Sequence, residues 1–273
     1  MTESTTSLGR LLLNSYLESL TGQAYRTATV SSRYRCLSSI DKAIGLETVT
    51  PQALETLADI RGWSPGTRYQ YASVVSLFTA WATREGLIDA DPFAGVRKPR
   101  QPRYRPRPIS LDQFQLLVDR LANPFRAWAM LAAYAGMRRE EITKLRWEHL
   151  VQTLTGFDLL IPDGKGGKSD SVPAHPEIVK FLSSGPGAGF VFTTRTGEQY
   201  TPNHLGEMAA HAFAGVGVPC GLHQLRHLFG TKLYASTHDI YAVRRALRHD
   251  SIQSTEVYVQ ADTTWIREAV CAL

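Results

Sequence analysis

The second half of the chain carries polar residues of the kinds that act on phosphate groups. Arg138 follows an apolar segment that ends at Gly136, and Glu141 stands three residues further along, on the same face of an expected helix. Taken alone, such a pair is typical of a surface ion pair. Lys165 lies among glycines at the tip of an expected hairpin, where a lysine is either solvated or able to reach into a groove.

The segment His223-Gln224-Leu225-Arg226-His227 allows two interpretations. His223 and His227 have the spacing of a helical zinc site, but the metalloprotease pattern needs glutamate where Gln224 stands, and no third ligand is evident. His223 and Arg226 would instead project from one helical face, and that pairing suits a phosphate. We therefore expect a phosphate site here and no metal.

Two more candidates lie near the end of the sequence. His249 follows a segment that closes a helix, and Tyr258 comes after Thr255-Glu256-Val257. A single tyrosine is more often a packed aromatic residue with a satisfied hydroxyl than a nucleophile. Neither residue indicates a function by itself.

Together these segments resemble the signature of the tyrosine recombinase (phage integrase) family. The resemblance rests on five motifs in the family's order: Ala-Gly-Met-Arg138-Arg-Glu-Glu141, Gly-Lys165-Gly-Gly-Lys, His223-Gln-Leu-Arg226-His, Leu-Arg-His249-Asp-Ser and Thr255-Glu-Val-Tyr258. It covers essentially the whole catalytic half of the chain. One departure is Arg248, where the family usually has glycine; we expect Arg248 either to bear a left-handed backbone penalty or to add a phosphate contact.

The resemblance implies how the DNA backbone would be cut. Tyr258 would attack the phosphorus, while Arg138 and Arg226 would hold the nonbridging oxygens through their planar guanidinium groups. A phenol ordinarily ionises near pH 10, so Tyr258 needs a base or a strongly positive site to attack at neutral pH.

The remaining family positions would support that step. Lys165 would protonate the departing 5′ oxygen, His223 would assist proton transfer at the tyrosine, and His249 would add a hydrogen bond to the phosphate. Glu141 would orient the cluster without reacting. The positive groups would supply the charge that a metal supplies elsewhere, so no metal and no cofactor are expected.

The implied activity is site-specific recombination through a 3′-phosphotyrosyl intermediate, in phage or mobile-element integration. The alternatives are Xer-type dimer resolution, a type IB topoisomerase-like enzyme and a catalytically silent DNA-binding protein. The expected partners are double-stranded DNA with an inverted-repeat core site and three further copies of the chain. The chain would form a homo-tetramer on DNA and be a monomer or weak oligomer when free, and a directionality factor is possible.

The fold that must position these residues is mainly α. Helical spacing, as in Leu13, Tyr16 and Leu20, predicts an all-helical bundle over residues 1–96, which the resemblance implies is a core-site DNA-binding domain. A mostly helical catalytic domain should span 109–273, with a tail helix near its end and a small three-stranded antiparallel sheet, its third strand formed by Phe190–Phe192. A basic, proline-rich linker, residues 97–108, would join the domains and follow phosphates with Arg97, Lys98, Arg100, Arg103, Arg105 and Arg107.

Composition limits the setting of the protein. The 273 residues include 30 basic and 25 acidic side chains, and 43% are hydrophobic. The longest apolar run, Ala127 to Met137, is too short to span a bilayer, and no secretory signal is evident. Three scattered cysteines indicate neither a disulfide framework nor a zinc site. We expect a cytoplasmic, nucleoid-associated protein. The family resemblance implies the compact two-domain type, without an arm-site-binding domain.

Overall fold

A computed structural model describes residues 5–100, 109–161, 170–249, 251–252 and 255–259. The chain divides into two compact units, Met1–Arg103 and Tyr104–Leu273, each of which is described by itself. Among the described helices, none is both long enough and apolar enough to cross a membrane.

The N-terminal unit is a bundle of helices, as the sequence predicts. Two of its helix starts follow directly from local sequence: the side chains of Thr50 and Ser64 accept hydrogen bonds from the N–H groups of Ala53 and Thr67, and proline occupies the first turn. The helices are α1 (Thr5–Gly22), α2 (Thr27–Ile44), α3 (Pro51–Ile60) and α4 (Pro65–Arg84).

An aromatic cluster lies at the centre of this bundle. The Tyr16 ring packs edge-on against Phe78, with 5.5 Å between ring centroids, and lies 5.1 Å from the Trp81 ring. On α2 the buried face is centred on Leu37 and Ile40. Tyr34, which the spacing places on the apolar face, lies at its margin and is largely exposed.

The C-terminal unit is built around one almost fully buried helix, α6. Seven consecutive residues of α6, Ala127–Ala133, are buried, and their alanines let neighbouring helices approach closely. Ser110 begins the unit with a capping box, as its position in the sequence predicts. The helices are α5 (Leu111–Arg120), α6 (Phe125–Ala135), α7 (Arg139–Thr143), α8 (Pro176–Ser183), α9 (Pro202–Gly215), α10 (Leu222–Thr237), α11 (Ile240–Leu247) and α12 (Glu256–Val259).

A small antiparallel sheet completes the C-terminal unit. Strands β1 (Leu150–Thr153), β2 (Gly156–Ile161) and β3 (Asp170–Pro173) pair in chain order, with Leu159 opposite both Leu150 and Val172. The mainly helical fold with a three-stranded antiparallel sheet is therefore confirmed.

The assignment of the third strand to Phe190–Phe192 is wrong. Phe190 forms an isolated bridge with Arg146. The strand that completes the sheet is β1, which pairs with β2 on the edge opposite β3. Phe192 is buried and packs against the Trp128 ring, which makes it a core residue. The tip of the β2–β3 hairpin lies outside the described residues.

Candidate active site

Arg138 lies at the junction of α6 and α7. Gly136 ends α6 with φ 57°, and a Cβ atom there would lie only 2.6 Å from a ring carbon of Phe229, so the junction needs glycine. Arg138 then becomes the N-cap residue of α7. Its backbone N–H and its Nη1 each donate to the carboxylate of Glu141 over 2.8 Å, which places the pair on one face as predicted.

The Glu141 carboxylate joins two guanidinium groups. Its Oε1 accepts from Arg138, and its Oε2 accepts from Arg248 Nη2 over 2.9 Å, with only 10% of the Glu141 side chain exposed. Burial opposes ionisation, but the charges of Arg248 and Arg138 and the N–H of Arg138 outweigh it. The pKa of Glu141 is therefore held below its usual value.

Arg226 comes from α10 and is 2% exposed. Its Nη1 donates to the carbonyl of Gly136 and its Nη2 to the carbonyl of Leu247, so it links the ends of α6 and α11. Burial, together with the charges of Arg138 and Arg248, lowers the pKa of Arg226 to about 9. At neutral pH this group still carries its charge.

Arg248 closes α11 in the left-handed conformation, with φ 54° and ψ 47°. Its side chain is only 4% exposed and donates to Glu141 and to the carbonyl of Gly136, the latter over 2.8 Å. The left-handed conformation expected from the sequence is confirmed. The alternative, a phosphate contact, is wrong, because the guanidinium group is buried against protein acceptors.

Tyr258 lies on the short helix α12 and is 1% exposed. Its hydroxyl is 2.8 Å from Nδ1 of His227, one turn of α10 beyond His223. Burial, with the charges of His223 and Arg226, lowers the pKa of His227 to about 4. The tyrosine hydroxyl therefore faces a histidine that is neutral at pH 7.

The other two histidines flank this pair. The ring of His223 lies edge-on to that of His227, with 4.4 Å between centroids. His249 holds the hydroxyl of Thr255 through Nδ1 at 2.9 Å, and its ring is parallel to that of Tyr258 at 6.4 Å. Burial and the charge of Arg226 lower the pKa of His249 to about 4 and that of His223 below its usual value.

A cleft of about 540 Å³ opens at this cluster. Arg138, His223 and Arg226 line it, together with Asn203 and Glu207 of α9. Across the part of the chain that the structure describes, no group of histidine, cysteine and carboxylate side chains could hold a metal ion.

The other residues predicted to contact DNA lie either in the N-terminal unit or outside the described residues. Arg97, Lys98 and Arg100 lie in the N-terminal unit and are exposed. Lys165, the linker residues Arg103, Arg105 and Arg107, and the tail helix fall outside the described residues, so the roles proposed for them stay predictions.

Comparison with known proteins matches residues 109–264 to the model of the phage integrase family. The chain belongs to this family. Tyrosine recombinase XerC of Chromohalobacter salexigens is 28% identical over 281 residues, which cover 93% of this chain and 92% of the relative. XerC of Pseudomonas entomophila is 31% identical over 217 residues, 74% of this chain and 71% of its own length.

Solved structures of similar fold include two phage integrases. An integrase from mycobacterium phage Brujita is 26% identical with a TM-score of 0.50, and the match covers 90% of this chain and 86% of that one. A lambda integrase dimer bound to a core site shares the fold with a TM-score of 0.74 at 17% identity, over 91% and 76% of the two chains. The chain is thus a tyrosine recombinase, an enzyme of DNA strand breakage and rejoining.

The structure of the recombinase brings together five of the six predicted reacting residues and the supporting Glu141. Sequence reasoning missed the contact that His227 makes with Tyr258, because it weighed His227 only as a zinc ligand. The spacing did contain a signal: on a helix, His227 shares a face with His223, so a tyrosine brought to that face meets both histidines. No comparable spacing in the sequence indicates that the Arg248 side chain points into the protein.

Proposed function

We propose that the recombinase exchanges DNA strands through attack of Tyr258 on a scissile phosphate. The observation that carries this proposal is the distance of 2.8 Å between the Tyr258 hydroxyl and Nδ1 of His227. His227 lies on α10, the helix that also provides His223 and Arg226. A nucleophile beside buried guanidinium groups is suited to an anionic, phosphorane-like transition state.

In the proposed step the tyrosine replaces the 5′ oxygen on the phosphorus. The Tyr258 Oη–phosphorus bond forms, and the bond from phosphorus to the 5′ oxygen breaks. Lys165 gives a proton to that oxygen, and the phenolic proton passes to Nδ1 of His227, with His223 assisting the transfer. The products are a 3′-phosphotyrosyl bond and a free 5′-hydroxyl, and attack by a 5′-hydroxyl of another strand reverses the step. Since the linkage keeps the phosphodiester's energy, rejoining needs no nucleotide.

Arg138 and Arg226 would bind the nonbridging oxygens in this scheme. Arg138 is suited to this because 41% of its side chain is exposed at the cleft. Arg226 lines the same cleft but is held by two backbone carbonyls, so it would act as a fixed charge with little freedom to reorganise. His249 would add a hydrogen bond to the phosphate, and Glu141 would orient Arg138.

The substrate would be double-stranded DNA with an inverted-repeat core site, bound by a homo-tetramer inside a bacterial cell. A structural neighbour is a lambda integrase tetramer bound to a Holliday junction, which supports this assembly as a proposal for the present chain. The exposed Arg97, Lys98 and Arg100 would contact phosphates and contribute affinity that falls with added salt. A directionality factor is a further proposed partner.

Two biological roles use the same chemistry. Integration of a phage or mobile element is the first proposal, and the phage Brujita integrase supports it. Resolution of chromosome dimers is the second, favoured by the match to XerC over nearly the full length of both chains. The recovered DNA site would separate them, because an integration site joins two different DNA molecules whereas a resolution site recurs on both copies of one chromosome.

Covalent capture tests the proposal. The protein is incubated in EDTA with nicked fragments of its host genome, the mixture is denatured with SDS, and attached DNA is sequenced. Wild type should retain a discrete inverted-repeat site, Tyr258→Phe should retain nothing, and Tyr241→Phe, a tyrosine 64% exposed on α11, should behave as wild type. Attachment that survives Tyr258→Phe, or no attachment by wild type, would overturn the proposal.

A further inference from the structure

Arg248 occupies a backbone position that favours glycine. It closes α11 with φ 54° and ψ 47°, in the left-handed region that residues with a side chain rarely adopt. An arginine gives this turn no conformational advantage. The reason for its presence must lie in what its side chain contacts.

Those contacts all belong to the protein interior. Nη2 donates to Oε2 of Glu141 over 2.9 Å and to the carbonyl of Gly136 over 2.8 Å, while Nη1 donates to the carbonyl of Ala246 over 2.7 Å. The side chain is 4% exposed, against 41% for Arg138. Arg248 therefore lies behind Arg138, on the far side of the carboxylate that the two arginines share.

In this arrangement the Glu141 carboxylate pairs with two guanidinium groups, those of Arg138 and Arg248. Of the groups that lower the pKa of Glu141 against the effect of its burial, Arg248 contributes most, ahead of Arg138. The cluster of Arg138, Arg226, Arg248 and Glu141 keeps two net positive charges. Without Arg248 it would keep one, and Glu141 would be paired with Arg138 alone.

We propose that Arg248 is a positioning residue, which shares the Glu141 carboxylate so that Arg138 keeps its positive charge for the scissile phosphate. Arg248 also fixes the carbonyl of Gly136, which accepts from Arg226 as well. The inference rests on the proposed function of Arg138 and Arg226. It assigns a task to a buried residue whose guanidinium group donates to Glu141 and to backbone carbonyls of the protein.

Cleavage kinetics test the inference, with the duplex that wild type captures as the substrate. Arg248→Met keeps the stem and the left-handed residue but removes the charge, and Arg248→Lys restores the charge. We expect Arg248→Met to slow covalent attachment at saturating DNA by about 10- to 100-fold, with less than about a threefold change in the half-saturating DNA concentration. Arg248→Lys should recover most of the rate. A wild-type rate for Arg248→Met, or no recovery with lysine, would overturn the inference.

Coupling to Glu141 separates charge sharing from general support of the fold. If Arg248 acts through the carboxylate, Arg248→Met combined with Glu141→Gln should be no slower than Arg248→Met alone. Independent roles would instead multiply the two losses, and that result contradicts the inference. Arg248→Gly relieves the left-handed backbone but still removes the charge, so it should cleave slowly, as Arg248→Met does; a wild-type cleavage rate would also contradict the inference.

A readout without DNA distinguishes failure of this inference from failure of the proposed function. In carbon-13 NMR titrations of labelled glutamate, Arg248→Met should raise the pKa of Glu141, whereas Arg248→Lys should leave it close to wild type. An unchanged pKa in Arg248→Met overturns charge sharing whether or not the protein cuts DNA. If wild type forms no covalent complex, the proposed function fails, and this titration still decides whether Arg248 shares the carboxylate.

Discussion

In the N-terminal unit the ion pairs of Arg68 with Glu55 and Asp59 lie at the surface, whereas the pair of Arg248 with Glu141 in the C-terminal unit is buried. The acids bound to Arg68 are 57% and 73% exposed, against 10% for Glu141. Exposed pairs contribute little to stability, and buried charges cost desolvation energy that their mutual attraction only partly offsets. The difference indicates that the Arg68 pairs add little to the stability of the first unit, while the buried Arg248–Glu141 pair of the second is kept for chemistry.

Arg226 offers the strongest test of this contrast. Arg226→Ala removes a buried charge that joins the carbonyls of Gly136 and Leu247, and it should slow covalent attachment by about 1,000-fold or more, about 4 kcal/mol of transition-state stabilisation. The matched change Arg68→Ala in the N-terminal unit should leave the rate constant at saturating DNA unchanged. Single-turnover cleavage of the captured duplex measures both variants, and equal losses would break the comparison.

Two glycines on helices of the C-terminal unit test how tightly Tyr258 is enclosed. A Cβ atom on Gly230 would lie 2.6 Å from Cζ of Tyr258 and 2.9 Å from Cδ1 of Leu247, whereas one on Gly215 would meet nothing within 4 Å. Gly230→Ala should therefore displace the tyrosine, slow attachment about 10- to 100-fold and destabilise the unit by about 1–3 kcal/mol.

Gly215→Ala is the control for the glycine test. It should be neutral or slightly stabilising, because alanine favours a helix and the site is open. Urea denaturation and single-turnover cleavage measure the pair. A Gly230→Ala variant that cleaves at the wild-type rate would show that Tyr258 leaves this packing before it reacts.

Acid should destabilise the C-terminal unit more than the N-terminal unit, because all eight histidines lie at or beyond His149. Burial and nearby positive charges lower the pKa of His227 and of His249 to about 4, and an unfolded histidine titrates near 6.5. Between these values the unfolded chain binds more protons, so stability falls as the pH falls from 6.5 towards 4. Each histidine should contribute a loss of up to about 1 kcal/mol per pH unit, with allowance for screening by solvent.

Hydrogen exchange read by mass spectrometry can follow both units of the full chain between pH 7 and pH 5, after correction for the intrinsic exchange rate. Protection of α10 should fall more than protection of α4. A variant with His227→Gln and His249→Gln should flatten the dependence in the C-terminal unit. Equal losses in the two units would rule out the histidines as the cause.

The sequence predicted those parts of the site that depend on local spacing. Arg138 and Glu141 are three residues apart and lie on one turn, and His223 and Arg226 share α10, because helix geometry alone places them. The third strand and the course of Arg248 depend on packing between distant segments. The sequence around Phe192 predicts a strand wrongly because a short apolar run fits a strand and a buried loop equally well. Nothing local shows that Arg248 would turn inward to meet Glu141, 107 residues earlier in the chain.

The smallest expected effect belongs to the surface pair of the N-terminal unit. Arg68→Ala removes contacts of 3.0 Å to Glu55 and 2.6 Å to Asp59, yet water and salt screen those charges. The melting temperature should fall by only about one or two degrees, and the difference should shrink further at high salt. Thermal unfolding at low and high salt measures it, with Arg68→Lys as the control that keeps the charge. A large, salt-independent drop would mean that Arg68 stabilises the bundle mainly through its hydrogen bond to the Trp63 carbonyl, and Arg68 would then be a structural residue of this unit rather than a surface charge.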